Sequence, residues 1–207
     1  MSIKIGKYIL TIFCFCLLSC KAAHRRKYIT EHTCQMLGQT IVIPDNLCTT
    51  YNGIDTILIP SPQKTNKSQI IVYVSTQECT LCKVSRLAAY KNIINFTQAQ
   101  KGCHFKFIID LPDEMEIETY YGLEKNPIDF PVYLDKKHSF VNLNKHIDFS
   151  DPFFNVFLLD ENNQIQLIGD PVNNTELWNL YRLAIEQTAT RSEERRVGKE
   201  CRSRWSP

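Results

Sequence analysis

Ile70-Ile71-Val72-Tyr73-Val74-Ser75 runs directly into Thr76-Gln77-Glu78-Cys79-Thr80-Leu81-Cys82. The first six residues are an apolar run that reads as a strand. From Cys79 onward Val84, Leu87, Ala88, Ile93, Ile94 and Phe96 roughly follow helical spacing. Two cysteines spaced C-x-x-C therefore stand where a strand hands over to a helix. A helix start carries partial positive charge and free N–H groups, which favour a thiolate over a thiol. The same spacing brings the second sulfur within reach of a mixed disulfide formed on the first. Cys79 is thus the candidate attacking thiolate and Cys82 the candidate resolving thiol. The same pair also fits an inert structural bridge, or half of a zinc site. The zinc reading lacks a second C-x-x-C or an H-x3-H to complete four ligands, so neither a metal nor a cofactor is expected.

Outward from this stretch, strands and helices alternate. Upstream, Tyr28 to Leu37 reads as a short helix stopped by Gly38, and Gln39 to Ile43 as a strand stopped by Pro44-Asp45-Asn46. Asp55 to Pro60 reads as a short edge strand. Downstream, Cys103 to Asp110 is a strand, Asp113 to Tyr121 an acidic helix ended by Gly122, and Phe130 to Asp135 a strand entered through a proline. His138 to His146 is read as helical. Asn155 to Asp160 and Gln164 to Ile168 form a hairpin, and Asn174 to Ala189 closes as an amphipathic helix. There are no internal repeats. This order gives an α/β layer architecture.

The two ends bear on compartment and charge. Lys4 and Lys7 precede an apolar stretch from Tyr8 to Leu18, too short at ~1.5 Å per residue to span a ~30 Å hydrocarbon core. This reads as a secretory signal over residues 1–19. Leu17-Leu18-Ser19-Cys20 resembles a bacterial lipobox, which implies acyl chains on Cys20; the alternative is ordinary cleavage near Ala22-Ala23. Residues 20–38 are then the lipidated cysteine and tether, and residues 39–190 the folded domain. Residues 191–207 (RSEERRVGKECRSRWSP) shift abruptly to charged and small residues and resemble a translated sequencing adapter, so they are expected to be non-native. The alternative is a natural basic tail.

The chain carries 24 basic and 22 acidic residues. Without Lys4, Lys7 and the last 17 residues, with their six basic and three acidic side chains, 16 basic stand against 19 acidic. A net charge of −3 gives no electrostatic case for a nucleic-acid partner. Of the nine cysteines, Cys34 and Cys48 flank the first expected strand. They are a candidate stapling disulfide or two buried thiols, and Cys103 is read as a core residue. No histidine sits as a base beside a nucleophile, and the acidic run 113–118 reads as a solvated helix face.

With motif and alternation in place, the chain resembles the thioredoxin-like superfamily, specifically the TlpA-like, AhpC/TSA-related exported lipoproteins. The strand–CTLC–helix at 70–98, FPVYLD at 130–135 and FLLDENNQIQLIGDP at 157–171 carry the likeness. The resemblance implies a mixed sheet of four or five strands flanked by helices. It further implies thiol–disulfide exchange in the periplasm, facing exported proteins with thiols or disulfides and a membrane electron donor or acceptor. Two positions depart from the family pattern. Glu78 stands where an aromatic residue usually precedes the first cysteine, and its charge opposes a thiolate, with Lys83 as a partial offset. The slot for a cis-proline facing the disulfide falls at about Phe154, with Pro152 two residues earlier. A scaffold lipoprotein with a merely structural bridge, and a peroxiredoxin-like antioxidant, are the alternative functions. The peroxiredoxin reading lacks the Pro expected ahead of its cysteine.

Overall fold

β3 (Ser68–Val74) is buried at every residue. This computed structural model describes residues 21–51, 53, 55–58, 67–100 and 103–188. The segment read as a signal, Cys20 and residues 189–207 lie outside the described residues. So do the last two residues of the strand expected at 55–60. The chain divides into two units, 1–37 and 38–207.

In the first unit, helix α1 runs over 21–36, longer than the helix expected at 28–37. Apolar periodicity does not explain its extra turns. Local pairs support them: Lys27 lies 3.8 Å from Glu31, Arg25 covers the Tyr28 ring, and Tyr28 stacks on His32. Gly38, at φ +78°, follows as the stop residue its sequence predicts.

The second unit is one sheet in the order β2-β1-β5-β4-β3-β6-β7. β3, β4 (Cys103–Asp110) and β5 (Val132–Asp135) are parallel to one another. β6 (Val156–Leu159) runs antiparallel to β3, and β7 (Ile165–Ile168) antiparallel to β6. β1 (Cys48–Tyr51) and β2 (Asp55–Leu58) form a hairpin antiparallel to β5. That hairpin extends the sheet past the four or five strands implied by the resemblance. The core from β3 to β7 is the mixed arrangement expected.

β3 sits between a parallel and an antiparallel neighbour, so both its faces need cover, and its sequence supplies apolar residues without alternation. Ile70, Val72 and Val74 pack with Leu87, Ile93, Tyr181 and Ile185 from the helices on one face. On the other face Tyr73 stacks on Phe140 at 4.7 Å, and Phe149 lies between Phe140 and Phe157.

Four expected elements come out differently. Residues 39–43 are extended but make only a single bridge, Thr40 to Gln164. The buried Asn144 occupies the Val42 backbone instead, accepting from its N–H and donating to its C=O at 2.8 Å each. The single helix expected after Cys79 is broken into α2 (Thr80–Val84), a 3-10 turn at Leu87–Tyr90, and α3 (Lys91–Ala99). At the break Ser85 Oγ donates to the Cys82 carbonyl at 2.9 Å, and the Arg86 N–H bonds back three residues to Lys83. Gly122 does not end its helix but lies inside α4 (Glu116–Lys125). A Cβ there would come within 2.9 Å of Leu81 Cδ2, so the missing side chain lets α4 approach α2 closely. The helix expected at 138–146 contracts to α5 (Ser139–Leu143), whose first N–H groups are capped by Asp135. The chain closes with α6 over 175–188, started by Asn174 accepting from the Leu177 N–H.

Burial, followed by nearby carboxylates, raises the pKa of Tyr73, Tyr90 and Tyr181 above its ordinary value. In the unfolded chain these phenols ionise near pH ~10. Above that pH the unfolded state releases protons that the folded state keeps, so stability falls as pH rises. The urea midpoint is expected to drop steadily from about pH 10 to 12, and less steeply in Tyr73→Phe.

Candidate active site

β3 ends at Val74, and a turn closed by the Glu78 N–H on the Ser75 carbonyl carries the chain to Cys79. Cys79 caps α2, and its Sγ accepts from the Cys82 N–H at 3.2 Å. Cys79 and Cys82 are joined in a disulfide, with Cα atoms 5.2 Å apart. Both residues are exposed. The structure thus brings together the two sequence-predicted cysteines, at the surface beyond the carboxyl end of the central strand.

Glu78 behaves differently from a carboxylate simply laid beside a thiol. Its side chain is only 3% exposed. Oε1 accepts from Asn155 Nδ2 at 2.8 Å and from the Ser75 N–H at 3.3 Å, while Oε2 lies 2.8 Å from Lys83 Nζ. The negative charge is therefore compensated inside the fold, with Lys83, expected as a partial offset, as its ion-pair partner. Asn155 is fully buried, and its carbonyl accepts from the Tyr73 N–H at 2.8 Å. Glu78 and Asn155 together tie the turn before the disulfide to the segment entering β6.

That segment is where the resemblance places a cis-proline. Here residues Pro152–Phe154 form a 3-10 turn capped by Asp151, no described peptide bond is cis, and Phe154 is fully buried. Phe153 is left exposed beside it. The other sequence candidates do not join the site. Cys34, on α1, and Cys48, at the start of β1, are free thiols rather than a stapling bridge. Cys103 is buried, and burial pushes its thiol up to about 12, as fits a core residue. Cys20 lies outside the described residues.

A second polar cluster went unread in the sequence. Asp110, at the end of β4, accepts from Tyr73 Oη at 3.0 Å and lies 2.6 Å from His138 Nδ1. Burial raises the Asp110 carboxyl, against the hydrogen bonds from Tyr73 and His138 that lower it. These three line a cavity of about 420 Å³ together with Ser75, whose buried hydroxyl has no hydrogen-bond partner among the described residues. From sequence His138 reads only as the start of the helix expected at 138–146. The available signal was a tyrosine inside an apolar strand and an aspartate ending the next one.

No family model matches the chain, and no curated protein does. Solved structures of similar shape exist. An uncharacterised thioredoxin-like protein from Porphyromonas gingivalis shares 14% identity at a TM-score of 0.45, covering 73% of this chain and 95% of that one. A provisionally named thiol:disulfide interchange protein DsbE from Chlorobium tepidum shares 18% at 0.46, covering 72% and 98%. AhpC from Mycobacterium tuberculosis shares 16% at 0.42, covering 70% and 98%. The fold is thioredoxin-like. Its strand order, with the C-x-x-C following the central parallel strand, is the feature of the chain itself that says so.

Asn155→Ala leaves Glu78 Oε1 without its side-chain donor in the interior. The expected loss is about 1–3 kcal/mol in urea unfolding of the oxidised protein. Glu118→Gln on the exposed face of α4 should stay within about 0.5 kcal/mol.

Proposed function

We propose that this protein is a thiol–disulfide oxidoreductase of the bacterial envelope, held by acyl chains on Cys20 and facing the periplasm. The observation that carries the reading is the solvent-exposed Cys79–Cys82 disulfide beyond the carboxyl end of β3. A purely structural bridge is a poorer account, because it would close too short a loop to restrain the unfolded chain much. Exposure makes a disulfide exchangeable rather than inert.

The reaction balances in two steps. In the reduced protein the Cys79 thiolate attacks one sulfur of a substrate disulfide, forming a mixed disulfide and expelling one substrate thiolate. The Cys82 thiolate then attacks Cys79 Sγ, restoring the Cys79–Cys82 bond and releasing the second substrate thiolate. Two electrons pass to the substrate, and a dithiol donor in the envelope returns them. Within this scheme Glu78 and Asn155 hold the turn in place, and the Lys83 ammonium offsets the charge that would otherwise resist a thiolate on Cys79. Exported proteins carrying disulfides are the substrate class that the signal segment supports.

Cys82→Ser blocks the second step, so mixed disulfides on Cys79 should accumulate and disappear on treatment with dithiothreitol. The pair should have a potential between about −120 and −270 mV, within the range of exchange proteins. A potential below about −300 mV together with no reduction of insulin overturns the proposal.

A further inference from the structure

The end of the sheet away from the disulfide carries a further cavity. At the amino ends of β3 and β4, where Ser68 pairs with Cys103, a hollow of about 410 Å³ opens beside the end of α3. Volumes of this order hold small ligands. Its lining combines positive charge with flat apolar surface. Lys67 and His104 supply the charge. Phe105, Pro131 and Tyr133, each half-buried, supply the apolar surface, with Phe130 edge-on to Phe105 at 6.0 Å. No carboxylate stands among the described lining residues.

The His104 imidazole registers the resulting field. Burial holds its pKa below the ordinary value, and the cations of Lys67 and Lys106 push it the same way. Lys106 is itself buried, over the Tyr133 ring at 5.7 Å. Burial lowers it to about 8, against the attraction of Asp45, so it still carries its charge at pH 7. Two other lining side chains already have acceptors for their hydrogens. Thr97 Oγ1 donates to the Ile94 carbonyl at 2.9 Å, and Cys103 Sγ to the His104 carbonyl at 3.6 Å.

These properties select the occupant. A cation is repelled, and an uncharged ring forgoes the electrostatic attraction. A bare anion forgoes the contact with the rings. A small molecule carrying both a ring and an anionic head uses both. We propose that the cavity bounded by Lys67, His104, Phe105 and Tyr133 binds a small aromatic anion, a ring bearing a carboxylate or a phosphate. This binding site is separate from Cys79–Cys82 and does not rest on the exchange activity.

The histidine ring signals of the full chain, followed by NMR in low salt at pH 7, provide the test. The His104 signal is assigned by its loss in His104→Gln. Benzoate and phenyl phosphate are the probes, with benzylamine, acetate and inorganic phosphate as comparisons. At least one probe should shift the His104 signal saturably and raise its titration midpoint by about 0.5 pH unit or more, because an anion beside the imidazole favours its charged form. The tighter of the two identifies the head group. Benzylamine, a cation, and the two ring-free anions should bind about tenfold more weakly or less. Lys67→Gln should weaken the aromatic anion about threefold. The signal of His146, whose ring contacts the Thr40 carbonyl elsewhere in the fold, should stay in place. No response of His104 to either probe overturns the proposal, as does an equal response to benzylamine. Equal binding of acetate or inorganic phosphate reduces the cavity to an adventitious ion only and overturns it too. So does a Lys67→Gln protein that binds like wild type.

Discussion

Burial of β3 on both faces is the constraint from which the rest of the architecture follows. A strand covered on both sides must hydrogen-bond to neighbours at both edges, and here β4 supplies a parallel edge and β6 an antiparallel one. A parallel neighbour demands a long crossover, and α2 and α3 fill it. The crossover begins at the carboxyl end of β3, which places the C-x-x-C there. The position of the disulfide is thus a consequence of strand polarity as much as of the cysteines themselves. The Tyr73–Phe140–Phe149 stack and the helical layer opposite are the two covers that this strand needs.

Much of this was legible because the informative signals were local. The apolar run at 70–75, the C-x-x-C after it and the hairpin around Glu161-Asn162-Asn163 each state their structure within a few residues. What was not legible depended on partners distant in sequence. Residues 39–43 have a strand's composition, yet Asn144, about a hundred positions away, takes the Val42 backbone. Gly122 reads as a stop signal, but it is a contact point whose partner lies in α2. Glu78 shows the same principle at the site. Its neighbour in sequence is Cys79, while the groups that decide its electrostatics are Lys83 and Asn155. Tyr73, Asp110 and His138 come from three separate elements, and only parallel pairing of β3 with β4 sets the first two side by side.

The two departures from the family pattern also read differently once placed in the fold. A glutamate before the first cysteine and a phenylalanine where the resemblance places a proline read as independent features in sequence. In the structure they are coupled, because Glu78 bonds to Asn155, the residue that follows the altered turn. One hydrogen bond joins the turn before the disulfide to the segment entering β6.

The break in the helical ladder at Ser85 has a mechanical meaning. The five residues of α2 and the Cys79 cap before them carry both disulfide sulfurs, and beyond them the hydrogen bonding changes step before α3 begins. A continuous rod would transmit a rotation of its first turn along its whole length. A segmented one confines that rotation to α2 and the helix it touches, α4. The disulfide is thus mounted on a single helical turn, separated from α3 by that break.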